Sequence, residues 1–200
     1  MNTILISTLQ DNIGMPLTPM LAAKIMLVSD VMSVLVPESE IAKIQPEVSG
    51  EFVFAAEKME DILEELKPLH QEHWKETEEH RHGLEFNPDY TTFIKYERAG
   101  RCVVFTLRSA GRLMGNFALY LNKSMHTQTL FATEDTLFLL PEARKGRVAM
   151  RFIEYGEKAL KQLGVREIDV SVKLVNKAGR FFQMIGYKHV ENGLNKILEN

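Results

Sequence analysis

Apolar positions change period several times along the chain. Met59, Ile62, Leu63, Leu66 and Leu69 recur at helical spacing and predict a helix over 59–69. Pro68 predicts a break or kink, with a second, polar helix running on to residue 79. Residues 87–98 predict a short helix with Asn87 as its cap and Pro88 in its first turn. Residues 148–163 have a clear amphipathic pattern that Gly164 ends, and 176–185 predict a last helix ended by Gly186. β-formers gather between these helices. Residues 51–56 (EFVFAA) predict a strand, and 101–108 (RCVVFTLR) and 113–121 (LMGNFALYL) predict a hairpin across Ser109-Ala110-Gly111. Further strands are expected at 130–140, at 167–172, where Ile168, Val170 and Val172 alternate, and at 187–190 and 194–198. The order is β, helices, β-β-β, α, β, α, β, β. It predicts an α/β or α+β layer with one crossover helix after the third strand of the block.

The first fifty residues have a different character. They hold five of the ten methionines (Met1, Met15, Met20, Met26 and Met32) and are punctuated by Pro16, Pro19, Pro37 and Pro46. Residues 17–36 are apolar nearly all round, as in a helix buried on more than one side. Residues 46–50 are the best boundary, giving an N-terminal helical extension at 1–50 and a main domain at 51–200. The extension either packs on the main domain or binds a second copy or a host protein, since methionine suits adaptable apolar contacts.

The 200 residues, 45% hydrophobic and 26% charged, have the ordinary globular balance. The net charge of −3 argues against a protein that coats nucleic acid. Cys102 is the single cysteine, so there is no internal disulfide and no zinc-finger framework. Lys24 and Asp30 interrupt the 17–36 run, at about 2.5–3.5 kcal/mol each in a bilayer centre. With no basic leader at Met1-Asn2-Thr3, the expectation is a soluble, cytoplasmic protein away from membranes.

Candidate chemistry begins at 137–151, LFLLPEARKGRVAMR. A strand meets a Pro-Glu corner, a basic loop with one glycine, and a helix start. Backbone N–H groups at such a junction have no partner within the helix, and with the helix dipole they favour an anion. Arg144, Lys145 and Arg147 add positive charge. On spacing alone the segment fits either a solvated basic helix start or a pyrophosphate site.

The stretch resembles the coenzyme A pyrophosphate loop of the GNAT superfamily of acyl-CoA-dependent N-acyltransferases. Leu139-Leu140-Pro141-Glu142 matches the strand end, Arg144 the loop's first position and Ala149 its last; Arg147 stands at the family's middle glycine, with Gly146 one place earlier. Downstream, 160–172 resembles the family's helix-to-strand crossing. Asn176 through Phe182 to Ile185-Gly186-Tyr187 resembles its closing signature, with Phe182 where a tyrosine often stands. Upstream, His73-Trp74, 86–90, 111–115 and Ser124-Met125-His126 resemble small GNAT proteins of tailed bacteriophages. The resemblance implies a mixed, mostly antiparallel central sheet flanked by helices. It also implies transfer of an acetyl group from acetyl-CoA, as co-substrate, to an amine on a small molecule or a protein. It places Leu137, Phe138 and Leu139 along the pantetheine arm, and Arg144, Lys145, Gly146, Arg147, Val148 and Ala149 around the pyrophosphate. Asn176 falls near the cofactor. The alternative is a GNAT-shaped binding or inhibitory protein that has lost the transferase chemistry, which Arg147 and Phe182 favour.

A charged amine must lose a proton before it attacks, and Glu134 and Asp135 stand mid-strand where the family often carries its base. Successive strand residues face opposite sides, so only one of the two enters the cleft. His70, His73, His80 and His82 share a window with Glu72, Glu76 and Glu79. No H-E-x-x-H motif occurs, so no metal site is expected. A solvated polar helix is the plain reading, and in the resembling fold this region overhangs the acceptor groove. His126 is a proton-relay candidate in a loop.

Overall fold

The computed structural model describes residues 3–29, 34–77, 85–174, 176–194 and 196. Helices are α1 (Thr3–Gln10), α2 (Pro19–Ser29), α3 (Glu38–Ile41), α4 (Met59–Thr77), α5 (Tyr90–Arg98), α6 (Val148–Gln162) and α7 (Ala178–Met184). Strands are β1 (Glu47–Ser49), β2 (Phe52–Ala56), β3 (Cys102–Ser109), β4 (Arg112–Lys123), β5 (Leu130–Leu139) and β6 (Val165–Asp169). The six strands lie in chain order in one sheet. Neighbours are antiparallel except β5 and β6, which α6 joins as a parallel crossover. The chain forms two compact units, residues 1–169 and 170–200.

The sheet has an apolar layer on each face. Phe152, Tyr155, Ala159 and Leu160 of α6 cover Phe54, Phe105, Phe117 and Leu119 on one side. Phe54, Phe105, Phe117 and Phe152 are fully buried, worth about 1.5–3 kcal/mol each in transfer from water. On the other side Met59, Ile62, Leu66 and Leu69 of α4 pack on Cys102, Val104, Leu113, Ala118 and Phe138, joined by Tyr90, Phe93 and Tyr96 of α5. The α4 spacing read from the sequence is the face that is buried.

Several boundaries differ from the sequence expectation. Pro68 lies inside a single continuous α4. Pro68 and Glu64 are both exposed, so the carbonyl of Glu64 that would have received the missing N–H can turn to water. Asp89, not Asn87, caps α5: its Oδ1 accepts from Thr92 N at 3.0 Å and its Oδ2 from the Thr92 hydroxyl at 2.7 Å. The strand expected over 167–172 is β6, three residues upstream in its end at Asp169. Residues 187–190 form no strand; of 194–198, only 194 and 196 are described, and neither is in a strand.

The divide expected at 50/51 falls within the β1–β2 hairpin, where Glu47 pairs with Phe54 and Ser49 with Phe52. Val36 and Ile44 are buried in the α6-side core, and Leu35 N donates to Ala99 O at 2.9 Å. Residues 35–49 therefore share one core with α6 and the strands from β2 onward. Further upstream, Ile13, Met15, Leu17 and Met20 are exposed. Lys24 lies in α2, while Asp30, Met32 and the rest of 30–33 lie outside the described residues. No helix among the described residues is long and apolar enough to cross a membrane.

Candidate functional site

β5 organises the site because its two halves have different neighbours. Its pairing with β6 runs from Leu130↔Val165 to Thr133↔Asp169 and stops. Residues 134–139 continue along β4, with Thr136 opposite Ala118 and Leu139 opposite Gly115, and no strand among the described residues pairs with their other side. Backbone groups on that open edge, including those of Leu137 and Phe138, are available to a ligand.

A turn of 3-10 helix, Pro141–Ala143, leads from β5 into the loop before α6. Gly146 has φ +57°, a left-handed conformation that costs a glycine nothing, and a Cβ there would meet nothing within 4 Å. No side chain caps α6 at Arg147, so the first-turn amides, Ala149 among them, lack an intrahelical acceptor. Lys145 and Arg147 are exposed and pair with no carboxylate among the described residues. Arg144 is turned the other way. Its Nε donates to Leu139 O at 2.7 Å, its Nη2 to both Glu76 oxygens at 2.8 and 3.0 Å, and its guanidinium lies 5.1 Å from the Phe138 ring centre. Of the cations expected at a pyrophosphate, two face solvent and the third ties the loop to α4.

The two strand carboxylates lie on opposite faces of the sheet, with an irregularity between them and Thr136 that the sequence did not show. A bulge interrupts the β4–β5 register: Ala118 pairs with Thr136 and Leu119 with Glu134, leaving Asp135 as the extra residue. Leu119 belongs to the α6-side core, so Glu134 is on that face. Asp135 accepts from the Thr136 hydroxyl at 2.9 Å and from the Tyr120 phenol, on the α4 and α5 face. The residue is exposed overall, yet desolvation of its carboxyl group raises its pKa above the usual value more than the two hydrogen bonds lower it.

The same face carries a polar group that sequence reasoning did not assemble. His70 of α4 stands between the Tyr90 hydroxyl, 3.3 Å from Nδ1, and the Asn116 amide nitrogen, 3.3 Å from Nε2. Asn116 is fully buried, and its Oδ1 has no hydrogen-bond partner among the described residues. Burial, with a smaller contribution from His73, lowers the His70 pKa to about 4, so the ring is neutral near pH 7. The only signal in the sequence was His70 itself, on the apolar side of α4. His73 rests on Phe138 at 5.7 Å, and Glu76 holds Arg144. His80, His82 and Glu79 lie outside the described residues. Among the described residues no group of three or more His, Cys, Asp or Glu could hold a metal ion.

Glu97 on α5 has the opposite perturbation. It accepts from Met59 N at 2.9 and 3.0 Å, yet desolvation raises its pKa to about 7. Its contribution to stability is fully present below the unfolded value of 4.5 and lost as pH rises through about 7. That of neutral His70 is fully present above 6.5 and lost as pH falls through about 4. The two slopes oppose each other in the overlap, so the pair leaves stability nearly flat between pH 5 and 6.5. Glu97→Gln should expose a stability that rises with pH there, and His70→Gln one that falls. Urea midpoints at half-unit pH steps check this; parallel slopes in both variants would refute it.

The remaining candidates lie elsewhere. His126 sits in the exposed turn beside Leu130, at the other end of β5 from the bulge. Cys102 is buried, and desolvation raises its pKa well above the usual thiol value, which suppresses thiolate chemistry. Asn176 and Phe182 belong to the second unit. Asn176 Oδ1 accepts from Ala178 N at 2.9 Å at the start of α7, and buried Phe182 meets Tyr187 edge-on at 5.0 Å.

By sequence the chain matches no protein-family model and no curated protein. By fold it is similar to an aminoglycoside acetyltransferase from an uncultured soil metagenomic sample: TM-score 0.63, 13% identity, 77% of this chain and 99% of that one. It is similar also to a GNAT family acetyltransferase of Staphylococcus aureus, with TM-score 0.56, 15% identity, and coverage of 74% and 99%. This is the GNAT fold. A third neighbour with that fold is AAC(6')-Iy, solved with the bisubstrate analog CoA-S-monomethyl-acetylneamine (TM-score 0.58, 16% identity, coverage 74% and 99%). The expected mixed, mostly antiparallel sheet with flanking helices is thus the observed one. Within the GNAT fold, the open half of β5 and the uncapped start of α6 are the features that present free backbone donors.

Proposed function

We propose that the protein transfers an acetyl group from acetyl-CoA to an amine. The observation that carries this reading is the edge of β5 at 135–139, which no strand among the described residues pairs with, leading through a basic loop into a helix start that its N-cap side chain leaves open. The residues present suit a coenzyme A diphosphate: first-turn amides of α6, the open loop at Gly146, and Lys145 and Arg147. Arg144 would hold the loop in place. Leu137, Phe138 and Leu139 would lie along the pantetheine arm. Acetyl-CoA, when bound, supplies an acetyl group activated as a thioester.

Asp135 is proposed to take the proton from the acceptor's ammonium, freeing the nitrogen lone pair for attack on the acetyl carbonyl. The new C–N bond forms as the C–S bond breaks; the sulfur leaves with the bonding pair, and the second proton shed by the nitrogen passes to that sulfur, directly or through water. Glu134, on the α6 face, is the alternative base. Phe182 has no hydroxyl, so it cannot supply the proton for the departing sulfur.

Calorimetric titration with acetyl-CoA tests the donor half. Saturable binding is expected in the micromolar range, weakened at least tenfold by replacing Lys145 and Arg147 together with alanine. A flat titration at millimolar acetyl-CoA would sink the proposal. The inward turn of Arg144 and the absence of a phenol at Phe182 favour a second reading, a GNAT-shaped binding protein. Saturable acetyl-CoA binding with no acetylation across a panel of primary amines would select it.

A further inference from the structure

Asp135 is exposed and accepts hydrogen bonds from two neutral donors, Tyr120 and Thr136. No lysine, arginine or histidine among the described residues forms an ion pair with it. The other carboxylates of this face are already engaged. Glu57 and Glu65 hold Arg108, and Glu97 caps α4 through Met59 N. Asp135 therefore stands out as a carboxylate without a counter-ion.

Aromatic rings lie beside it. Tyr120 stacks on Phe93 at 6.1 Å with 13° between the planes and meets Tyr96 edge-on at 5.7 Å. Phe93 continues to Tyr90 at 6.4 Å. All four rings are half-buried, so part of each remains open to a ligand. An anion would be repelled here, and a neutral ligand would leave the carboxylate unpaired. An ammonium group satisfies both features: it donates charge-assisted hydrogen bonds to the carboxylate, and aromatic faces attract it.

We infer that the surface where α5 meets β4–β5 binds the acceptor as a single ammonium on an apolar or aromatic stem, with Asp135 as counter-ion and the exposed parts of Phe93, Tyr96 and Tyr120 as the apolar contact. That this amine is the acetyl acceptor rests on the acetyl-transfer reading; the binding itself does not require acetyl-CoA. The stem matters because the rings offer an apolar surface along which a hydrophilic carrier gains little. A polyamine gains little more than a monoamine, because no second free carboxylate lies beside Asp135 among the described residues.

The test uses the full ¹⁵N-labelled chain without acetyl-CoA, titrated at pH 7.5 with phenethylamine and with phenethyl alcohol. The two share shape and differ in charge. Phenethylamine is expected to bind at least tenfold more tightly, shifting amide signals at residues 93, 96, 120, 135 and 136. Asp135→Asn, nearly isosteric, should cut that preference below threefold. Tyr96→Ala, on a different element, should weaken phenethylamine at least threefold while the remaining spectrum stays that of the folded chain. Equal affinity for the two probes, or a tenfold preference that survives Asp135→Asn, overturns the inference. Signals shifting only outside this surface would also overturn it. The two readings fail separately. Amine preference without acetyl-CoA binding keeps this site and removes acetyl transfer; acetyl-CoA binding without amine preference does the reverse.

Discussion

Gly100→Ala is expected to cost about 3–5 kcal/mol, a large share of the roughly 5–15 kcal/mol by which domains are stable. Gly100 has φ +60°, where an L side chain is itself strained by about 1–2 kcal/mol. A Cβ at this position would stand 1.7 Å from the carbonyl oxygen of Val36 and 2.6 Å from its carbonyl carbon. Those are backbone atoms, so no rotamer change relieves the overlap. The segment at 35–36 must lift away, which breaks the Leu35 N to Ala99 O hydrogen bond and exposes Val36. A urea melt reads the effect. If Gly100→Ala unfolds within about 1 kcal/mol of the parent, residues 35–36 do not dock against 99–100 as described.

Asp135→Asn should slow acetyl transfer by about 10²–10⁴-fold, the usual worth of general-base help, while acetyl-CoA affinity stays the same. Glu134→Gln should change the rate less than threefold. The asymmetry comes from strand alternation, which gives the two carboxylates different faces of the sheet, and from the bulge, which leaves Asp135 outside the β4 ladder. An alkylammonium with pKa near about 10 arrives charged at neutral pH, and a carboxylate whose pKa is raised by desolvation is the better proton acceptor. Steady-state rates from pH 6 to 9 with a saturating primary amine make the comparison. Equal losses in both variants, or a loss confined to Glu134→Gln, would reverse the assignment.

What the sequence disclosed depended on the reach of its patterns. The α4 face, the β3–β4 hairpin and the length of α6 come from runs long enough to show a period. β1 has three residues, Glu47–Ser49, too few to do so, and it is a strand because β2 pairs with it. Pro68 obeyed no breaking rule because the carbonyl it leaves free can turn to water. The strand expected at 187–190 has β-formers but forms none, which local propensity does not explain. The loop before α6 was visible as a motif, yet the direction in which Arg144 turns depends on Glu76, far away in sequence. The bulge at Asp135 depends on how β4 counts against β5, and neither strand carries that number alone. His70, Asn116 and Tyr90 come from three separate elements, and only the packing of α4 and α5 on β4 brings them together.

The unequal company kept by the two halves of β5 also divides the strand by local stability. Residues 130–133 are bonded on both sides, so freeing their amides requires β6 or β4 to part from the sheet. Among the described strands, residues 135–139 pair with β4 alone, with Arg144 fastening the last carbonyl. Opening there costs only one ladder, and the free energy of local unfolding falls towards the end where the proposed chemistry lies. The site thus occupies the more pliant end of a strand whose other end is anchored in the core.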